Sequence, residues 1–83
     1  MPARYSWQIK AGRAALGLTL DDVAEATGLH RNSVHSLEKK KHWIGGEVRD
    51  RVSAVLESQG IRFVEFDGEA AVSMSLRRAT ASS

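Results

Sequence analysis

The 83-residue chain has no cysteine, so neither a disulfide framework nor a thiolate-ligated zinc site is available, and the protein suits a reducing cytosol without requiring one. No stretch approaches the roughly 20 apolar residues of a membrane span, and the opening residues MPARYSWQIKAGRAALG lack the apolar core of a secretory leader. The expectation is a soluble, cytoplasmic protein with no membrane partner. Aromatic residues make up only 6% of the chain, and Tyr5, Trp7, Phe63 and Phe66 are scattered, leaving no stacking platform of the kind that grips single-stranded RNA. No glycine-rich phosphate loop, repeat or low-complexity segment is present. Length is a further restriction: a domain this short buries only roughly 60% of its unfolded surface, leaving little room for an enzyme cleft and making a partner subunit useful.

Catalytic and metal-binding arrangements fail on spacing. His30 and His35 are five apart, roughly 140° around a helix, and cannot share a metal as an i, i+4 pair can. Ser33 and His35 are two apart and diverge, which spoils a nucleophile and base. Asp21, Asp22 and Glu25 are more simply first-turn charges favoured by the helix dipole. No enzyme activity, cofactor, metal or small-molecule substrate is therefore expected.

What is present is an uneven charge. Met1 to Gly45 carries seven Lys/Arg against four Asp/Glu, whereas Gly46 to Ser83 carries five against six. The basic excess gathers around Arg31 and the run Lys39, Lys40, Lys41, together with His30, His35 and His42. A lysine run alone is no more than a solvated face; here it follows a segment with helical organisation.

The periodicity predicts four helices and a hairpin. The first helix runs from about Ser6 to Gly17, with Ile9 and Leu16 on one stripe and Ala11, Ala14 and Ala15 small enough for close packing. The second opens with Thr19 as N-cap and Asp22 three residues later, a capping box, and turns Leu20, Val23 and Ala24 inward. Gly28 supplies a left-handed turn, Leu29 plugs the corner, and a third helix runs from about His30 to Lys40 with Val34 and Leu37 inward. In the following loop Trp43 and Ile44 are expected to close the core, with a sugar contact as the lesser role for Trp43. A fourth helix from about Gly46 to Gln59 places Val48, Val52, Val55 and Leu56 on one face.

Asp67-Gly68 then suits a type I′ turn between two strand-like runs, so that Phe66 opposes Glu69, Val64 opposes Ala71, Phe63 opposes Val72 and Ile61 opposes Met74. One hairpin face is Ile61, Phe63, Val72 and Met74. The other, with Val64, Phe66 and Ala71, is also apolar, and a hairpin with two apolar faces needs cover on both. The expected cover is a second copy of the chain, which makes Val64, Phe66 and Ala71 a dimer interface; a shelf that only covers the fourth helix is the competing reading. The domain division is 1–60 for the helical part, 61–78 for the hairpin and 79–83 for a frayed tail.

Between Ile9 and Gly60 the chain resembles the helix-turn-helix regulators of the phage repressor and Cro type, the lambda-repressor-like fold. The resemblance rests on Ile9-x3-Arg13-x2-Leu16-Gly17-Leu18-Thr19, on Val23-Ala24-x3-Gly28-Leu29, and on Ser33-Val34-x2-Leu37-Glu38. In that family the Ala lets the second and third helices cross closely, the Gly makes the turn, and Val and Leu seat the third helix. The resemblance implies a mainly α, four-helix domain followed here by a C-terminal β-hairpin, and it makes Arg13 and Glu38 a structural ion pair between the first and third helices.

It also assigns base contact to the exposed face of the third helix: His30, Arg31, Asn32 and Ser36, with His35 at the edge. Arg can fork onto O6 and N7 of guanine, Asn can bridge N6 and N7 of adenine, and Ser suits either base class. Phosphate contact falls to Lys39, Lys40, Lys41 and His42 beyond the third helix and to Thr19 at the start of the second. Leu20 stands where many relatives carry Gln or Ser, so a backbone amide or Thr19 must supply that contact. The implied partner is double-stranded DNA and the implied role a dimeric repressor reading a palindromic operator. The alternative is an antitoxin-like or adaptor protein whose main surface, the hairpin, binds another protein.

Overall fold

A computed structural model describes residues 1–41 and 43–74. His42, the hairpin end at 75–78 and the tail at 79–83 lie outside the described residues. Helices α1 (Ser6–Ala15), α2 (Leu20–Thr27), α3 (Arg31–Lys39) and α4 (Glu47–Ser58) are followed by strands β1 (Ile61–Phe66) and β2 (Glu69–Met74). The helices are shorter than their apolar periodicity suggests because several flanking residues act as caps. His30 precedes α3 in extended backbone rather than opening the helix, and Lys40, also extended, ends it. Gly17, at φ 70°, lies beyond α1, whose C-cap is Leu16.

The core is one cluster drawn from every helix and from β1. Ile9, Val23, Val34, Leu37, Ile44, Val52, Leu56, Ile61 and Phe63 are buried in it, with Ala3 and Ala24. At about 1.5–3 kcal/mol for each fully buried large apolar side chain, this cluster is the main opponent of chain entropy. Close packing of α1 is achieved at Gly12 and not at the alanines expected to permit it, since Ala14 and Ala15 are exposed. A Cβ on Gly12 would come within 3.3 Å of Ile61 Cγ2 and 3.4 Å of Leu56 Cδ1, so the hairpin and α4 approach the α1 backbone itself.

The hairpin register is Ile61↔Met74, Phe63↔Val72, Val64↔Ala71 and Phe66↔Glu69, with Asp67 at φ 52° and Gly68 at φ 78° making the turn. Both positive angles are those a type I′ turn needs. Ile61 and Phe63 are buried and Val72 half-buried beneath the sheet. Met74, expected on the same covered face, is 39% exposed: it sits at the open end of the hairpin and reaches past the helices that cover its partner Ile61.

The loop after α3 departs from expectation in one half of an aromatic-aliphatic pair. Ile44 is buried, but Trp43 is 64% exposed. Trp43 forms an isolated antiparallel bridge with Tyr5, and the Ile44 N–H donates to Arg4 O at 2.9 Å. Adjacent residues of an extended segment point to opposite sides, so seating Ile44 in the core turns the Trp43 indole outward.

Candidate nucleic-acid interface

The turn that presents α3 is built locally. Thr19 caps α2 by accepting from the Asp22 N–H at 3.0 Å while Asp22 Oδ2 accepts from the Thr19 N–H at 2.8 Å. The hydrogen bond from the Thr19 backbone N–H, and after it that with the Thr19 side chain, hold the Asp22 carboxyl below the ordinary carboxylate range. Gly28, at φ 73°, closes α2, and the Leu29 N–H donates to Ala24 O at 3.1 Å. The Thr27 hydroxyl donates back to Val23 O at 2.8 Å and is buried, so the turn carries no free polar group into the core.

His30 has a role that its residue type did not announce. Its Nδ1 accepts from the Asn32 N–H at 3.0 Å, making the imidazole the N-cap of α3. The proton of the neutral ring is then on Nε2. Within α3, Val34 and Leu37 are buried, while Arg31, Asn32, His35, Ser36 and Lys39 are exposed. Arg31, His35 and Lys39 follow one i, i+4 row and Asn32 and Ser36 the neighbouring row, so the five side chains share one outward face. The described part of the hairpin packs on α1 and α4, away from this face.

The electrostatics at the start of α2 are more balanced than two adjacent aspartates suggest. Asp22 is turned back into its cap, and Asp21 Oδ1 lies 3.2 Å from Arg31 Nε, with the two side chains 78% and 52% exposed. Arg31 is thus tethered through Nε while its side chain stays 52% exposed. Thr19 spends its N–H on Asp22, whose carboxylate its hydroxyl also reaches, and the first-turn amides of Leu20 and Asp21 have no intrahelical acceptor. Lys39, Lys40 and Lys41 are exposed at the other end of α3. Between α3 and the start of α4 runs a cleft of about 470 Å³ walled by Asn32, Ser36 and Lys40 on one side and Gly45, Gly46 and Glu47 on the other.

Arg13 and Glu38 meet behind this surface. Arg13 Nε donates to Glu38 Oε2 at 2.7 Å and Nη2 to Oε1 at 2.9 Å, while Nη1 donates to Leu18 O at 2.9 Å. The hydrogen bond to Glu38 raises the Arg13 pKa above its ordinary value; burial opposes the rise and the Glu38 charge adds to it.

A family model described as helix-turn-helix matches residues 9–58. The chain belongs to this helix-turn-helix family, in its lambda-repressor-like form. No curated protein matches it. As a helix-turn-helix protein it is, in general terms, a DNA-binding regulator of transcription, from a family that is typically not enzymatic. Among the described residues no group of His, Cys, Asp or Glu is arranged to hold a metal ion, and no helix is long and apolar enough to cross a membrane.

Three residues at or near the helix-turn-helix surface escaped the reading of the sequence. Asp21 pairs with Arg31 across two helices, ten positions apart, with no motif to announce it. Trp43 lies exposed against Gly45 instead of lining the core. Gln8, almost fully buried, accepts from the Arg4 and Tyr5 N–H groups at 2.8 and 3.0 Å through Oε1 and donates to Ala71 O at 3.0 Å through Nε2. The last had a signal: glutamine three residues after an N-cap is the acceptor half of a capping box. On the far side of the hairpin, Phe66 is 71% exposed and Val64 also faces solvent, with Ala71 half-buried.

Proposed function

We propose that the protein is a dimeric repressor that acts in the cytoplasm and reads a palindromic operator by placing α3 of each copy in the major groove. The observation that carries this reading is the single exposed face of α3, where Arg31, Asn32, His35 and Ser36 can meet base edges with His30 at the tip. Thr19, Lys39, Lys40, Lys41 and His42 take the phosphates on either side, and the Arg13–Glu38 pair holds α1 to the end of α3. Val64, Phe66 and Ala71 pair two copies through the hairpin, since Phe66 is a large aromatic left in water on an otherwise folded sheet. The helical part, residues 1–60, then reads and the hairpin, 61–78, dimerises. Paired copies would set their reading helices about one duplex turn, roughly 34 Å, apart.

Selection of bound duplexes from a random pool tests the whole reading. The expected outcome is an inverted repeat with half-sites one turn apart, bound with a salt slope near roughly −6 for about seven phosphate contacts. Arg31→Ala should cost about 1–3 kcal/mol on the selected duplex and little on random sequence. Recovery of no enriched sequence, together with capture of a different protein by the Phe66 face, would instead favour the antitoxin-like or adaptor role.

A further inference from the structure

We propose that Trp43 is a DNA-backbone contact: its indole lies on a deoxyribose of the strand that runs past the end of α3, at the rim of the cleft between α3 and α4. The inference rests on duplex binding by α3 and adds to it a residue that neither the base-reading face nor the lysine run includes.

Four observations converge on it. Trp43 is exposed, yet its backbone is pinned by the bridge to Tyr5, by the hydrogen bond from Ile44 N–H to Arg4 O, and by the burial of Ile44. An indole held out from an anchored segment is a positioned group with little ordering entropy left to lose. The indole also lies against Gly45, where a Cβ would come within 3.1 Å of Cη2, and Gly45 itself walls the cleft that Asn32 and Ser36 line from the α3 side. Trp43 therefore packs against a residue that walls the concavity lined by two base-reading residues.

The surrounding charge selects the occupant. Lys39, Lys40 and Lys41 lie just before Trp43 in the chain, and Lys40 lines the cleft. Across the cleft, α4 begins at Gly46 with no side-chain cap, so its first amides face the opening. Among the described residues Glu47 is the one carboxylate lining the cleft, and it is engaged by Arg51 Nη2 at 2.7 Å. A nucleic-acid backbone alternates anionic phosphates with apolar sugar faces. An indole beside lysines matches that alternation, its face for the sugar and its Nε1–H for a phosphate oxygen. A second copy of the chain is the poorer fit: a two-fold interface here would set Lys39, Lys40 and Lys41 against their own equivalents.

The test uses the full chain carrying Trp7→Phe, which leaves Trp43 as its one tryptophan. The probes are a duplex selected from a random pool and a random-sequence duplex of equal length. On saturation with either duplex, Trp43 emission should change and its quenching by acrylamide should fall. In otherwise unaltered protein, Trp43→Ala should weaken binding to both duplexes by about fivefold, the effect of uncovering part of an indole face. It should leave the slope of log affinity against log salt unchanged, because an apolar contact releases no counterion, whereas Lys40→Ala should reduce that slope by about 0.9. Trp43→Phe should retain most of the affinity.

An indole as open to acrylamide in the complex as in free protein overturns the inference while leaving duplex binding by α3 intact. So does shielding that follows protein concentration without DNA, which would assign the patch to a second copy. Failure of either duplex to bind removes the proposed function and this inference together.

Discussion

Removing Arg13 should cost more than removing Glu38, although the two form one pair. The Glu38 side chain is 4% exposed and its two carboxylate oxygens accept from Arg13 Nε and Nη2, with no other partner among the described residues; the Arg13 side chain is 17% exposed and also donates to Leu18 O. In Arg13→Met the carboxylate stays in place without a donor and Leu18 O loses its own. Stranding a buried charge costs about 3–5 kcal/mol, and partial access of water to the Arg13 end places this site near about 3 kcal/mol. In Glu38→Leu the guanidinium keeps Leu18 O and can bend toward solvent, so the loss is about 1–2 kcal/mol. The double variant should recover about 2 kcal/mol relative to the sum of the two single losses.

A domain of this length is stable by only about 4–12 kcal/mol, and each kcal/mol moves its melting point by roughly 4–8 °C. Arg13→Met should therefore melt roughly 12–24 °C lower, read by circular dichroism and by urea titration. The raised Arg13 pKa means that the guanidinium's share of stability is present at every pH below its ordinary value and is lost only as pH rises through the folded one. The deficit of Arg13→Met should thus stay constant over the neutral and mildly alkaline range. A loss under about 1 kcal/mol, or single losses that simply add, would show that the pair behaves as two solvent-screened surface charges.

Three further perturbations separate the parts. Asp22 is held by its cap bonds below the ordinary aspartate value of about 3.9, so the stability it contributes is present above that pH and lost as pH falls through the folded pKa; the stability difference between the wild-type chain and Asp22→Ala should be flat near neutrality and vanish in acid, and a constant difference through acid would exclude the capping carboxylate as its source. If two copies pair through the hairpin, Phe66→Lys should turn the dimer into a monomer in sedimentation velocity with little change in melting point, because the residue is 71% exposed in one copy; an unchanged mass would assign the hairpin to covering α4 alone. Asp21→Asn should raise affinity for random duplex, by removing an acid from the DNA side. It should also lower the preference for the selected duplex by about threefold by releasing Arg31 Nε, and an unchanged ratio of the two affinities would show that Asp21 does not orient Arg31.

The parts of this architecture that were legible are those whose physics is local. Thr19 with Asp22, Gly28 with Leu29, and Asp67 with Gly68 each place a cap or a turn within four residues, and the helices and register between them follow. Val34 and Leu37 against Arg31, Asn32 and Ser36 needed only a 3.6-residue period to separate the buried from the exposed face. The misreadings belong to contacts made at long range. Gly12 is close-packed because Ile61 and Leu56 arrive from more than forty residues away, and nothing near Gly12 distinguishes it from Ala11 or Ala14. Trp43 was placed inside because an aromatic in a connector is usually anchored. Which of Trp43 and Ile44 points inward is decided by the bridge to Tyr5, a pairing of two distant segments that leaves no local pattern. Asp21 looked like a dipole charge, and it is one; its second role depends on the crossing of α2 and α3.

That crossing and the hairpin are mechanically joined through the segment Arg4–Gln8. The Ser6 hydroxyl donates to Lys40 O at the end of α3, Arg4 O accepts from Ile44 N–H in the following loop, Gln8 Nε2 donates to Ala71 O in β2, and Arg4 Nη1 lies 2.9 Å from Glu65 Oε2 in β1. Of these links the exposed Arg4–Glu65 pair contributes little, because water screens it. Gln8 carries more: an almost fully buried amide whose Oε1 accepts from two backbone N–H groups and whose Nε2 donates to Ala71 O favours one orientation, and any tilt of the hairpin against α1 strands one of its partners. The angle between α3 and the exposed Phe66 face is therefore set by a buried amide and not only by the short connector at Gly60. If two copies join through that face, the distance between their α3 helices follows from this angle, and with it the half-site spacing the pair can accept. Specificity for spacing would then reside in the core beneath α1, while specificity for sequence would reside in the side chains of α3, so that the two could vary independently.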